Sequence, residues 1–304
     1  MLKKYTYKKL TWIDLENPTS DDIKEVMEEY SLAIIVADEL MIPSPKSKVD
    51  LYSNYIYLVL HFPPFRYINA NKHGTEIDFI ISKNFIITTH YGEVEPLHNF
   101  SKIFEVSSRI DHSNIGDHAG FIFYYMIREI YHSLESEINY IEKDIKDIEE
   151  KIFEGEEREM VSEISQLSRD LLDFKQASSL HKSVLESFVG ASKKFFGESF
   201  SYHSEAILNE YLKIKQAIQD NKEFLDELRT TNDSLLTTKQ NETMKVLTIL
   251  AFVTFPLSLV ASIFGMNTTH LPIIGMHNDF WIIMGIMLAI ITVMFGFFKY
   301  KKWL

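Results

Sequence analysis

Seven residues in one stretch, five of them with small or hydrogen-bonding side chains, have a spacing that puts them on one side of a helix. Asn241, Met244, Thr248, Ala251, Phe255, Ser258 and Ser262 recur at alternating steps of three and four, the spacing of a heptad seam. From Val246 to Phe264 run 19 residues without Asp, Glu, Lys or Arg. At about 1.5 Å each they reach about 28 Å, close to the hydrocarbon thickness of a bilayer. Leu247, Leu250, Phe252, Val253, Leu257, Leu259 and Val260 cover the other faces. A helix that is apolar outside with a narrow polar seam suits packing around an axis, where the seam can line a pore. The same seam also suits a helix–helix contact without a pore.

Other chemistry is limited by composition. The chain has 304 residues, a formal net charge of -12 and no cysteine. That excludes a disulfide framework and a thiolate metal site, and argues against nucleic acid as a partner. No phosphate-binding glycine loop, dinucleotide fingerprint or HExxH occurs, so nothing points to an enzyme or to an organic cofactor. His61, His90 and His98 fall beside strand-like segments and read as ordinary core or surface residues rather than ligands. A cluster of acids, Glu149, Glu150, Glu154, Glu156, Glu157 and Glu159, reads first as a solvated tip.

The elements that must position the seam follow. A second uncharged run of 19 residues, Phe280 to Phe298, has Trp281 at one end and Tyr300 and Trp303 at the other, as an aromatic belt would place them. Lys239 and Lys245 precede the first run; Lys299, Lys301 and Lys302 follow the second; Thr268 to Asp279 between them has no Lys or Arg. By the positive-inside rule both termini are cytoplasmic and the connection faces outward, as in a multi-pass membrane protein.

The first 115 residues read as a small α/β domain. Trp12 to Leu15 looks like a short strand, and Asn17 to Asp22 opens a helix. Ile34 to Leu40 is a short helix, and Asp50 to Leu60 reads as one strand. Glu76 to Ile81 and Asn84 to His90 form a hairpin around Ser82-Lys83. Residues 116–198 read as an antiparallel helical hairpin: heptads run from Ile127 to Ile152, a turn falls at Glu154 to Glu157, and heptads resume from Met160 to Phe188. Residues 199–304 read as a stalk helix continuing into a first span (about 245–264), an outer loop (265–279), a second span (about 280–299) and a basic tail. The stalk seam, Ile207 to Leu235, carries Asn221 and Asn232, the kind of buried amide that fixes register and oligomer state.

These residues resemble the CorA family of divalent-cation transporters. Gly265-Met266-Asn267 closes the first span, after Asn241, Met244-Lys245, Leu247-Thr248 and Phe255-Pro256-Leu257; Lys301-Lys302-Trp303-Leu304 is similar to the family's basic tail, and Trp12 to Leu15 with Asn17-Pro18-Thr19 to its N-terminal signature. The resemblance covers nearly the whole chain. It implies a funnel-shaped homopentamer with an α/β head, coiled-coil-like helices and two transmembrane helices, which moves divalent cations through the lipid bilayer. Mg²⁺ is the main cargo it implies, and Co²⁺, Ni²⁺ or Zn²⁺ the alternatives; a non-conducting membrane-anchored binding protein is a further alternative. Gly265, Met266 and Asn267 become the selectivity filter, the seven seam residues the pore lining, Met244, Leu247 and Phe255 the gate, and Lys245, Lys299, Lys301 and Lys302 a basic ring. The chemistry agrees: Mg²⁺ dehydrates reluctantly, and a ring of neutral amide oxygens accepts hydrogen bonds from its water shell without trapping it. Pro256 leaves one carbonyl without its helical donor, free to face the pore.

The sequence departs from the family in two places. Acids often follow Gly-Met-Asn in the family; here Asp279 is the sole acid of the outer loop, and His270 and His277 stand there as soft ligands. The stalk carboxylate with which the best-known members sense cytosolic Mg²⁺ is Ala206 here, beside Glu205. Regulatory Mg²⁺ is therefore expected at Glu205, or at the tip through Glu154, Glu156 and Glu157.

Overall fold

The computed structural model describes residues 2–64, 74–109, 116–267 and 272–303. They divide into two compact units, Met1–Arg229 and Thr230–Leu304.

The first unit is built on six strands, β1 (Leu2–Tyr7), β2 (Leu10–Glu16), β3 (Lys48–Leu51), β4 (Ile56–Phe62), β5 (Thr75–Ile81) and β6 (Phe85–His90), in the order β1-β2-β6-β5-β4-β3. All neighbours are antiparallel except β2 and β6, which are parallel. Alternation along the strands gives the sheet two apolar faces. Ile13, Leu15, Val59, Ile80 and Ile87 face α1 (Ser20–Tyr30) and α2 (Ile34–Glu39). The opposite face carries Trp12 against Phe100 and Phe104 of α3 (Glu95–Arg109). It also carries Phe79 against Phe123 of α4 (Gly120–Glu154), which meets Phe188 of α6 (His181–Phe196). Helix α1 starts where the sequence says it should: Thr19 and Asp22 form a reciprocal capping box, with Asp22 N–H donating to Thr19 Oγ1 at 3.2 Å and Thr19 N–H to Asp22 Oδ2 at 2.9 Å, satisfying donors that a helix start leaves orphaned.

Three expectations change. The strand expected over Asp50 to Leu60 is a hairpin, because Tyr52 N–H closes a turn on the Tyr55 carbonyl at 2.9 Å around Ser53-Asn54 and the two rings stack 4.7 Å apart. The second arm of the helical hairpin is two helices, α5 (Glu157–Ala177) and α6, parted at Ser178 to Leu180. There Ser178 Oγ turns back on the Phe174 carbonyl at 2.8 Å, and α6 goes on to pack on β3 and β4. The helices thus join the sheet in one unit rather than standing as a separate domain, and the boundary expected at residue 115 lies outside the described residues.

The polar joint of this unit is His181. Its ring is fully buried; Nε2–H donates to the His61 carbonyl at 2.8 Å, and Nδ1 accepts the Tyr131 hydroxyl at 2.9 Å. Phe62, Tyr131 and Tyr211 surround it edge-on or tilted. Burial lowers this imidazole from its ordinary 6.5 to about 4. An unfolded chain takes up the proton below 6.5 and the native one does not, so stability is complete above 6.5 and drains away as pH falls toward about 4. That gap is worth about 3 kcal/mol. His61 works in the opposite sense, since Glu76 at 3.3 Å holds it up. Thermal unfolding followed from pH 7 to pH 4 should show this loss, and His181→Gln, which keeps a donor and an acceptor, should flatten the profile over that interval.

The second unit holds the rest of α7 (Glu198–Phe264), a single helix of 67 residues, and α8 (Asp279–Tyr300). Both helices contain runs long and apolar enough to cross a membrane.

Candidate functional site

In the second unit the half-shielded positions along and just before the apolar stretch of α7 include Lys245, Ile249, Val253, Pro256, Val260 and Phe264, with Thr248 and Leu257 outside this line, and those of α8 include Ile283, Ile286, Met287, Ile290, Met294 and the buried Phe298. Both sets recur at three and four residues. Each set shares one face of its helix, and among the described residues of this unit α7 and α8 are the two helices, so these are taken as the α8-facing stripe of α7 and its counterpart. At about 100° per residue the seam of Asn241, Met244, Thr248, Ala251, Phe255, Ser258 and Ser262 is centred roughly 150° away from the α8-facing stripe. The seam residues are exposed, apart from half-shielded Thr248. Met244, Leu247 and Phe255, expected as the gate, are 55%, 53% and 73% exposed. Groups this apolar left open in one copy of the chain call for lipid or for further copies as neighbours.

Details of the seam favour water-shell chemistry. Thr248 Oγ1 donates to the Met244 carbonyl at 2.7 Å, so its outward lone pairs are acceptors. Lys245 belongs to the α8-facing stripe rather than to the seam, which keeps its charge off the seam's line. Pro256 also lies on the α8-facing stripe. The helical hydrogen bond it deletes would run parallel to the axis beneath it, so the carbonyl released, that of Phe252, lies on that side and not along the seam.

At the end of α7, Gly265 N–H still bonds the Ala261 carbonyl at 2.9 Å and Met266 N–H that of Ile263 at 3.3 Å. Asn267 follows, outside the helix and exposed. A Cβ on Gly265 would meet the Ala261 carbonyl oxygen at 3.0 Å, a tight fit that glycine avoids. Asp279 is engaged locally, its carboxylate accepting Gly275 N–H at 3.2 Å and Phe280 N–H at 2.7 Å as the N-terminal anchor of α8. His277 is exposed, and His270 lies outside the described residues. At the other end of α8, Trp303 folds back: its N–H bonds the Phe298 carbonyl at 2.9 Å and its ring stacks on Phe298, leaving Lys299, Lys301 and Lys302 exposed.

The carboxylates expected to regulate are not gathered. Glu154 and Glu156 are exposed at the α4–α5 turn, Glu157 is buried in the first turn of α5, and Glu205 is exposed on α7. Among the described residues no three His, Asp or Glu side chains stand together ready to hold a metal ion.

A family model described as CorA-like Mg²⁺ transporter protein matches residues 7–301. The chain belongs to the CorA family. It is 25% identical over 303 residues to the cobalt/magnesium transport protein CorA of Thermotoga maritima, covering 97% of this chain and 83% of that one. It is 23% identical to the protein of the same name from Methanocaldococcus jannaschii, covering 97% and 92%. The fold matches the complete structure of the CorA magnesium transporter from Methanocaldococcus jannaschii with a TM-score of 0.83 at 19% identity, covering 100% of this chain and 95% of that one. It also resembles the full-length CmaX protein, with a TM-score of 0.75 at 14% identity over 97% and 89% of the two chains.

The seam is directly testable because the chain has no cysteine, so single cysteines label without background. A water-soluble cationic thiol reagent should modify cysteines at Ala251, Phe255, Ser258 and Ser262 in the reconstituted protein, and leave those at Val253, Val260 and Phe264 untouched. Equal labelling of the two sets would remove the distinction between the faces.

Proposed function

We propose that the chain is a divalent-cation channel that takes Mg²⁺ into the cell, assembled as a homopentamer in the plasma membrane with both termini cytosolic. The observation that carries this reading is the exposed seam of α7, opposite the α8-facing stripe and ending at Asn267. Five copies packed seam-inward cover the apolar groups that one copy leaves open and ring the axis with Asn241, Thr248, Ser258 and Ser262. Asn267 at the outer mouth accepts hydrogen bonds from the hydrated ion. Met244, Leu247 and Phe255 close the path by dewetting. The membrane potential supplies the driving force, about 2.3 kcal/mol per charge per 100 mV and so about twice that for Mg²⁺. Lys239, Lys245 and the tail lysines mark the cytosolic side. A second reading, Co²⁺ as cargo alongside Mg²⁺, is favoured by the likeness to cobalt/magnesium transport proteins and by the outer mouth, where Asp279 is occupied with backbone donors. Feedback by cytosolic Mg²⁺ would act through Glu205 or the tip glutamates Glu154, Glu156 and Glu157 where neighbouring subunits bring them together.

Ion uptake into liposomes holding the purified protein tests the cargo. Mg²⁺ flux should exceed that of Zn²⁺ and Co²⁺, and Asn267→Ala should cut it by more than about tenfold, since each lost hydrogen bond is worth about 1 kcal/mol and 1.4 kcal/mol is a factor of ten. Undiminished flux through an assembled Asn267→Ala protein sinks the outer-ring role. Native mass spectrometry in detergent should find five chains; a conducting monomer or dimer contradicts the pentamer.

A further inference from the structure

An acid stands in the middle of the first unit's sheet, where the ion path does not use it. Asp78 belongs to β5, and the register sets it between Val59 of β4 and Thr89 of β6. Side chains two apart along a strand share a face, so Asp78 points the same way as Ile80. That face is the apolar core closed by Ile23 and Val26 of α1 and by Val36 and Ala37 of α2. Asp78 is 1% exposed, and among the described residues neither of its oxygens meets a hydrogen-bond donor. A charge buried without a partner costs so much that the group gives it up instead.

The polar group that reaches Asp78 is a second carboxyl, that of Glu76, two residues back on the same face. Glu76 is buried and held from outside. Its Oε1 accepts Ser44 N–H at 2.8 Å, and its Oε2 lies 3.3 Å from Nε2 of His61, the residue paired with it on β4. His61 Nε2–H also donates to the Ser44 carbonyl at 2.9 Å. Two carboxyls that meet with no donor between them repel unless one of them carries a proton. The neighbouring elements supply no spare cation. Lys48 of β3 is engaged by Glu39 of α2 at 2.6 Å and by Asp50 at 3.1 Å, and α1 turns Ile23 and Val26 to this core. Tyr57 of β4 and Tyr91 beyond β6 bring hydroxyls, both pushed up by burial and then by the charge of Asp78. Burial, and after it the charge and hydrogen bond of Glu76, hold the Asp78 carboxyl well above the ordinary carboxylate range.

We propose that Asp78 is a proton-binding site and a pH switch: its carboxyl keeps a proton at neutral pH, donates it to Glu76, and releases it only on alkalinisation. Once Asp78 is ionised, two negative charges lie side by side in the core. Glu76 is the one that can turn away, because its other contacts are the backbone of Ser44 and the ring of His61. Its turning loosens the segment between α2 and β3, and with it His61, whose carbonyl takes the His181 N–H. The switch therefore acts on the joint between the sheet and α6. It is independent of the transport reading, since its residues all belong to the first unit.

Infrared spectroscopy of the full chain in detergent tests the proton. Ordinary acids are carboxylates at pH 7, so a protonated carboxyl stands apart by its C=O stretch. The expected result is a band at pH 7 that shifts when aspartate alone carries ¹³C at its carboxyl, and that Asp78→Asn removes. Absence of such a band, or one unmoved by the label, overturns the proton site, and the label serves even if the variant fails to fold. Urea unfolding gives a second reading. The native chain keeps a proton that the unfolded chain has released, so the unfolding constant of the wild type relative to Asp78→Asn should rise about tenfold per pH unit from pH 5 to pH 7. A flat ratio contradicts the proposal. Between pH 7 and pH 10 the band should fade, and peptides covering residues 41–48 should then exchange hydrogen faster than in Asp78→Asn at the same pH. A persistent band, or equal exchange in the two chains, overturns the switch.

Discussion

In hydrocarbon a backbone N–H or C=O has no water to turn to, so each must find its partner within the protein. That constraint explains why the uncharged stretch of α7, Val246 to Phe264, stays helical to its end. It also explains why its hydroxyl side chains behave as they do: Thr248 and Thr254 donate to carbonyls one turn back, those of Met244 and Leu250. A hydroxyl whose proton is spent on the helix costs little in an apolar setting and still offers lone pairs outward. Pro256, which breaks the ladder once, is half-shielded rather than on the exposed seam.

The first unit solves a different problem, that of burying polar groups in water's absence by pairing them. His181 is neutral and holds both ring nitrogens in hydrogen bonds, so it ties α6 to β4 and α4 without a charge. Asp14, Thr88 and Trp12 form a chain of donors and acceptors on one face of the sheet. Such networks specify one arrangement of a core because any alternative leaves a member unpaired.

Much of this was legible in the sequence, and the reasons differ by element. The heptads from Ile127 to Ile152 and the uncharged runs before Phe264 and Phe298 are long, and a long period survives local exceptions. The hairpin of β5 and β6 was marked by β-branched runs on either side of Ser82-Lys83. By contrast β1 (Leu2–Tyr7) carries two lysines and lies at the sheet edge, where alternation of apolar residues is weakest. The break between α5 and α6 has no Gly or Pro; serines and the pull of α6 onto β4 make it. The buried pairing of Asp14 with His90 was invisible for another reason. Asp14 and His90 meet because β2 and β6 pair in parallel across a long connection, and no spacing within one strand predicts that register.

The angle between the two faces of α7 limits how the membrane part can move. With the seam and the α8-facing stripe on nearly opposite sides, a turn of α7 about its own axis by one residue, about 100°, would carry Ser258 and Ser262 off the seam face and bring Leu259 and Ile263 in their place. It would also unseat the contact with α8. Tilting or bending disturbs neither face. The helix is therefore stiff in rotation and compliant in tilt, and the bend available at Pro256 lies near the middle of its apolar stretch.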